Sequence, residues 1–155
     1  MSNKNHHYKT NIEWTGNTGS GTVSYRGYER SHTISVEGKK DIAASSDAAF
    51  CGDISKHNPE DLLLASLSSC HMLWYLHLCA DAGIIVTAYT DTAEGIMTED
   101  SNGGRFTEVT LHPVVTITDE NRREEALRLH DPAHRKCFIA NSCNFSVKHE
   151  PVIHS

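Results

Sequence analysis

The sequence predicts a single α+β domain, residues 1–155, in which antiparallel sheets surround one buried central helix. Three observations carry that expectation. Short strand-like stretches punctuated by glycine fill the chain before residue 40, a capped apolar run begins at Asn58, and two alternating stretches joined by a glycine-containing turn follow Gly83. No internal repeat or low-complexity tract interrupts this order.

From Tyr8 to Val36 the text runs TNIEW, the turn TGNTGSG, TVSY and SHTISV, closed by Glu37-Gly38-Lys39, which is the pattern of an antiparallel meander. Residues 40–57 hold Ala, Ser, Asp and Gly with little periodicity and read as a long exposed loop carrying Cys51. Loops of that length inside small domains are often functional.

At Asn58-Pro59-Glu60-Asp61 the signal sharpens. Asn as N-cap, Pro as first helical residue and two acids in the first turn are what a helix N-terminus wants sterically and electrostatically. The run LLLASLSSCHMLWYLHLCADAG then stops at Gly83. Its large apolar residues, among them Leu62, Leu63, Leu67, Leu73, Trp74 and Leu78, point in nearly every direction, so this helix is expected to be buried all round. Residues 62–80 carry no formal charge, and a bilayer span needs about 20 residues. Ser66, Ser68, Ser69, His71 and His77 interrupt that run and acids flank it, so the expectation is a core helix and no membrane partner.

IIVTAYTDTAEGIM then alternates like a strand, and RFTEVTLHPVVTIT after Ser101-Asn102-Gly103-Gly104 alternates like its hairpin partner. Residues 119–136 form a charged amphipathic helix with Ala126, Leu127 and Leu129 on its apolar side and Pro132 marking a break or a fresh start. NFSVKHEPVI reads as a last strand, with Cys143 on its inward face.

Apolar residues make up 38% and charged residues 22%, the composition of one domain able to bury a core. Lys and Arg number 14 against 20 Asp and Glu, a net charge of −6, so no basic surface draws the chain to nucleic acid or anionic lipid. Met1-Ser2-Asn3-Lys4-Asn5-His6-His7 shows neither a secretory nor a transit pattern, which makes the cytoplasm the expected compartment. Cysteines at 51, 70, 79, 137 and 143, odd in number and irregularly spaced, argue against a secreted disulfide framework. Each has to be judged alone.

The run His57-Asn58-Pro59-Glu60-Asp61-Leu62-Leu63 through Ser69-Cys70-His71-Met72-Leu73 resembles the central-helix signature of the OsmC/Ohr family. His134-Arg135-Lys136-Cys137-Phe138-Ile139-Ala140-Asn141-Ser142 resembles its second cysteine motif at the separation expected. Arg105-Phe106-Thr107 in the hairpin and the text around Arg30 extend the likeness over nearly the whole chain, closer to the OsmC-like branch than to the organic-hydroperoxide-resistance branch. The resemblance implies an OsmC-like fold, an intertwined homodimer, and a thiol peroxidase with no bound cofactor. In that chemistry a hydroperoxide oxidises Cys70, Cys137 resolves it as a disulfide, and an external dithiol or lipoylated-protein reductant restores both. It further implies that Arg30 and Glu60 form the polar part of the site, with Arg26, four residues earlier, as the alternative arginine.

Taken alone, these residues admit plainer readings. Cys70 could be a small core residue, since free cysteine is among the most buried types. Peroxide reduction needs a thiolate, a buried thiol resists ionisation without a cation beside it, and no Lys or Arg lies near Cys70 in sequence, so the cation would have to come from elsewhere. Cys137 follows Arg135 and Lys136 and precedes Phe138 and Ile139, a setting for a thiol at a pocket edge. Glu60 could merely complement the helix dipole, as Asp61 could. Cys79 reads as core packing. His71 and His77 lie six apart on different sides, and no Cys/His spacing matches a zinc module. The competing functions are a redox-sensing or hydrophobic-ligand-binding module of the same fold and a metal-assisted hydrolase using His71 or His77. The apolar residues near Cys70 favour organic hydroperoxides over hydrogen peroxide.

Glu60 and Cys70 stand ten residues apart, about 15 Å along one helix and on different faces. One arginine hardly bridges that distance, so an Arg30 serving both implies that Glu60 comes from the partner chain of a two-fold dimer.

Overall fold

The cap at Asn58 forms as the sequence predicts, and it starts the longest element of the chain. In the computed structural model, which describes residues 4–155, Asp61 N–H donates to Asn58 Oδ1 at 2.8 Å and Asn58 N–H donates back to Asp61 Oδ2 at 3.3 Å. This reciprocal box opens helix α1, Pro59–Asp81. The helix ends where Gly83 turns left-handed at φ 70°, with Gly83 N–H donating to Ala80 O and Ile84 N–H to Cys79 O. The reading of the first seven residues as leaderless falls partly on Met1, Ser2 and Asn3, outside the described residues.

The chain divides into two compact units, one ending at Leu62 and one from Leu63 to Ser155. The first holds a three-stranded antiparallel sheet, β1 (Asn11–Trp14), β2 (His32–Ser35) and β3 (Ile42–Ala44), in that order. Two expectations change here. TVSY forms no strand, because Asn17 Oδ1 takes the N–H groups of Gly19 and Gly21 and folds the segment on itself, leaving Val23 and Tyr25 exposed. The expected loop over residues 40–57 instead contributes β3, whose Ala44 is fully buried and bridges to His57. Cys51 is half-buried rather than exposed, and at φ 62° it closes the single 3₁₀ turn Ala48–Phe50.

The second unit is built on the expected hairpin, bent once. Its strands are β4 (Val86–Asp91), β5 (Glu94–Asp100), β6 (Gly103–Leu111) and β7 (Pro113–Ile117), with β5 pairing β6 and β4 pairing β7, all antiparallel. The last strand is likewise split by Pro151 into β8 (Ser146–His149) and β9 (Val152–His154), which pair in parallel with β6 and β7. All three strand segments break at one level. There the Asp91 carboxylate accepts His112 N–H at 2.6 Å and the Ser68 hydroxyl of α1, pinning the bend to the helix. Gly95 permits the close approach of β5, since a Cβ there would sit 2.7 Å from Phe106 and 2.9 Å from Leu64.

The expected charged helix divides at Leu129 into α2 (Arg123–Arg128) and α3 (His130–Lys136), with Pro132 in the first turn of α3, where a missing N–H costs nothing. Cys143 is not on the last strand. It follows the single 3₁₀ turn Ala140–Ser142, half-buried, with its thiol donating to Ile139 O at 3.3 Å.

Helix α1 is central but not buried on every side of the chain. Leu67, His71, Tyr75 and Cys79 form one buried stripe, packed against residues such as Val115, Ile117 and Ile153 at one end and Val109 and Leu111 at the other. Ala65, Ser69, Leu73 and His77, at the same four-residue spacing, are exposed, Leu73 to 62%. A sheet covers one face of a helix, and this sequence is apolar on more than one. By length and composition α1 could cross a membrane, yet its buried stripe carries an imidazole and a phenol packed in the chain's own core.

Candidate functional site

Cys70 lies beside the buried stripe of α1, one residue before His71, and is half-buried. Cys137 is the residue that ends α3, where the backbone turns extended (φ −66°, ψ 109°), and it is 1% exposed. The Cys70 thiol is a neighbour of Cys137, close enough to bear on its ionisation. Burial pushes the Cys137 thiol up to about 11, the Ala140 N–H donating to its sulfur at 3.4 Å opposes that rise, and the neighbouring Cys70 adds to it. Cys137 is therefore held protonated near neutral pH. All five cysteines are free, and burial also raises Cys79 and Cys143.

An aromatic wall adjoins the pair. Trp74, one turn beyond Cys70, meets Phe138 edge-on at 5.6 Å between ring centroids, and Lys136 Nζ lies 5.2 Å over the Trp74 ring. Phe138 is 67% exposed, so the wall is open on its outer side.

Arg30 belongs to the first unit. Its guanidinium donates to the carbonyls of Tyr25 and Tyr28 and lies 4.5 Å and 4.1 Å from the centres of those two rings. The loop is fixed by Trp14 Nε1 donating to Glu29 O at 2.8 Å and by Gly16, where a Cβ would strike that same carbonyl. Arg26 is exposed and has no hydrogen-bond or ion-pair partner among the described residues, so Arg30 is the ordered arginine of the two. Glu60, half-buried in the first turn of α1, forms no ion pair with Arg30 among the described residues, and Asp61 rather than Glu60 caps the helix.

Sequence reasoning missed His130. The imidazole of His71, on α1, meets that of His130, the first residue of α3, with Nε2 and Nδ1 2.9 Å apart. Both are almost fully buried, and His130 also stacks on Tyr75 at 3.8 Å. The signal was the spacing His130, Ala133, Cys137, one inward face of a short helix. His77, by contrast, is exposed and pairs with Asp81 at 3.1 Å. Among the described residues no group of three or more His, Cys, Asp or Glu side chains is arranged to hold a metal ion.

Fold and site together define a class: an α+β protein that sets a half-buried thiol on its central helix against a buried thiol at the end of a short one. The chain belongs to the OsmC-like protein family, whose model matches residues 52–151. Among solved structures it resembles an OsmC-like protein of unknown function from Vibrio cholerae at 30% identity and a TM-score of 0.86, over 95% of this chain and 99% of that one. It also shares its fold with organic hydroperoxide resistance proteins. That from Elizabethkingia anophelis is 20% identical with a TM-score of 0.68, over 98% of this chain and 99% of that one. That from Bacillus subtilis is 23% identical with a TM-score of 0.61, over 94% and 98%. No curated protein sequence matches this chain significantly.

Proposed function

We propose that this chain is a cytoplasmic, thiol-dependent peroxidase that reduces organic hydroperoxides without a bound cofactor. The observation that carries the reading is that Cys137, buried at the end of α3, has the half-buried Cys70 of α1 as its thiol neighbour. The Cys70 thiolate attacks the outer peroxide oxygen, the O–O bond breaks, and the alkoxide takes a proton to leave as alcohol with Cys70 as sulfenic acid. The Cys137 sulfur then displaces water from that sulfenic acid to give the disulfide, and an external dithiol or lipoylated protein reduces it by exchange. Burial of Cys137 suits the second role rather than the first, because a buried thiol ionises poorly and meets little of an incoming peroxide. The exposed wall of Trp74 and Phe138 suits an apolar alkyl or acyl body over hydrogen peroxide. The test is direct. One equivalent of cumene hydroperoxide should give a Cys70–Cys137 disulfide within one chain on peptide mapping, and a Cys137–Cys143 bond alone, or no loss of thiol, would overturn the assignment. Disulfide formation without sustained turnover on a dithiol would instead favour a redox sensor.

Arg30 is proposed as the cation that favours the Cys70 thiolate, and Glu60 of a second copy as its carboxylate partner, the exposed stripe through Leu73 being the face that a homodimer covers. Refolding Cys70→Ser chains together with Glu60→Ala chains creates dimers with one doubly defective site and one intact site. Each mixed dimer should carry about half of a native dimer's activity, from two inactive parents. A fully active Glu60→Ala protein would leave Glu60 no part in the site, and mixed dimers without activity would overturn the sharing of the site between two copies.

A further inference from the structure

The neighbouring thiols of Cys70 and Cys137 are not the only groups that α1 and α3 bring together. His71 follows Cys70 directly, and His130 begins the helix that Cys137 ends, so one imidazole pair and one thiol pair join the same two elements. Seven residues separate His130 from Cys137, about 10 Å along α3, while Cys70 and His71 point about 100° apart around α1. A single contact would leave α3 free to pivot on α1; two contacts that far apart fix both its slide and its rotation. The accompanying contacts, His130 stacked on Tyr75 and Phe138 edge-on to Trp74, are aromatic surfaces that tolerate displacement. The imidazole hydrogen bond is directional and does not.

A disulfide is equally demanding, since the Cα atoms must lie within about 4.4–6.8 Å and the Cβ atoms within about 4.5 Å. We propose that the His71–His130 hydrogen bond is a positioning device for the cysteine pair, holding α3 in the register in which the Cys70 and Cys137 sulfurs meet and so setting how readily their disulfide closes. The inference rests on the reading of these cysteines as redox partners. His71 and His130 are positioning residues in it, because neither touches the peroxide.

The pair is well placed to act as a register lock because it is otherwise unengaged. Among the described residues His71 Nδ1 and His130 Nε2 have no hydrogen-bond partner, so the directional bond each ring makes within them is to the other. Only one proton fits between Nε2 and Nδ1, which makes one ring the donor and the other the acceptor. Loss of either ring nitrogen therefore removes the lock whole.

The experiment compares the full-length protein with His130→Phe, which keeps the stack on Tyr75 and loses the hydrogen bond, and with His130→Asn, whose amide reproduces the Nδ1 position. The readout is the Cys70–Cys137 disulfide equilibrium against a dithiothreitol redox buffer at pH 7, with folding checked by near-ultraviolet circular dichroism. His130→Phe should lower the disulfide's equilibrium constant at least tenfold, and His130→Asn should stay within threefold of the native chain. Equal values in all three, or equal losses in both variants, would overturn the proposal. Coupling is reciprocal, so a second measurement needs no variant. The ¹⁵N imidazole signals of His71 and His130 should shift between the dithiol and disulfide forms of the native chain, and unchanged signals would overturn the proposal whether or not a variant folds. A native chain that never closes the disulfide would overturn the thiol-pair reading itself.

Discussion

Cys70→Ser should abolish hydroperoxide turnover, lowering it by at least about a thousandfold, because a serine hydroxyl neither ionises near neutral pH nor attacks the O–O bond. Cys137→Ser should behave differently. The first oxidation survives, since Cys70 is intact, but the sulfenic acid then has no neighbouring thiol and proceeds to sulfinate under excess peroxide. The expected record is therefore two alcohols released per chain, one for each oxygen taken up, with no steady state, and a gain of two oxygen atoms on the Cys70 peptide by mass spectrometry. Burial separates the two roles in advance: it raises the Cys137 thiol to about 11 and leaves that sulfur 1% exposed, where an incoming peroxide meets little of it. A Cys137→Ser chain that turned over at the native rate would mean that Cys143 or an external thiol resolves Cys70. A Cys70→Ser chain with native turnover would remove the mechanism altogether.

The sequence made α1 legible because its ends obey local rules. Asn58, Pro59, Asp61 and Gly83 act within one turn of themselves, and the structure places the cap, the start and the stop where those residues stand. The hairpin was legible for the same reason, its turn being set by Ser101 and Asn102 next to Gly103 at φ 128°. What local rules do not carry was lost. The bend at Thr92, His112 and Pro151 depends on three distant strands breaking at one level, and the carboxylate that holds it, Asp91, serves groups 21 and 23 residues away. The meander misled because TVSY alternates like a strand while Asn17 satisfies the nearby N–H groups locally. The sequence motifs named both cysteines, and the structure brings them together. They did not name His130, because a histidine at the head of a charged helix looks like surface until its partner, 59 residues earlier, is known.

That hidden pair should make the protein acid-sensitive from about pH 6.5 downward, before carboxylates begin to titrate. Burial, with the charges of His149 and His134 behind it, pushes His71 down to about 4; burial, then His71 and His149, push His130 down to about 3. His149, itself lowered by burial, sits on β8 beside Asp131, and Tyr75 closes the cluster from α1. In the unfolded chain each imidazole returns to an ordinary value near 6.5. The folded values are the lower ones, so as pH falls below 6.5 the unfolded chain takes up protons that the folded chain refuses, and unfolding gains ground. The contribution is fully present above pH 6.5, shrinks between 6.5 and 4, and is spent below the folded values. At about 1.4 kcal/mol for each unit of separation, and with the two rings counted as a coupled pair rather than twice, the loss is on the order of 3–5 kcal/mol. That is a large part of the 5–15 kcal/mol typical of a whole domain, so the native chain should be markedly less stable at pH 4–5 than at pH 7. Carboxylates held low by their partners, such as Asp53 beside Ser55 and Glu125 beside Arg122, lose their contribution only at lower pH. The measurement is urea unfolding at half-unit steps from pH 7.5 to 4.5 for the reduced chain and for His130→Phe. The native chain should lose stability steadily below pH 6.5, while the variant, with one buried imidazole fewer, should show a shallower slope. A flat native profile across that window would mean that the buried histidines take up protons as readily folded as unfolded, and that no neutral imidazole pair holds α1 to α3.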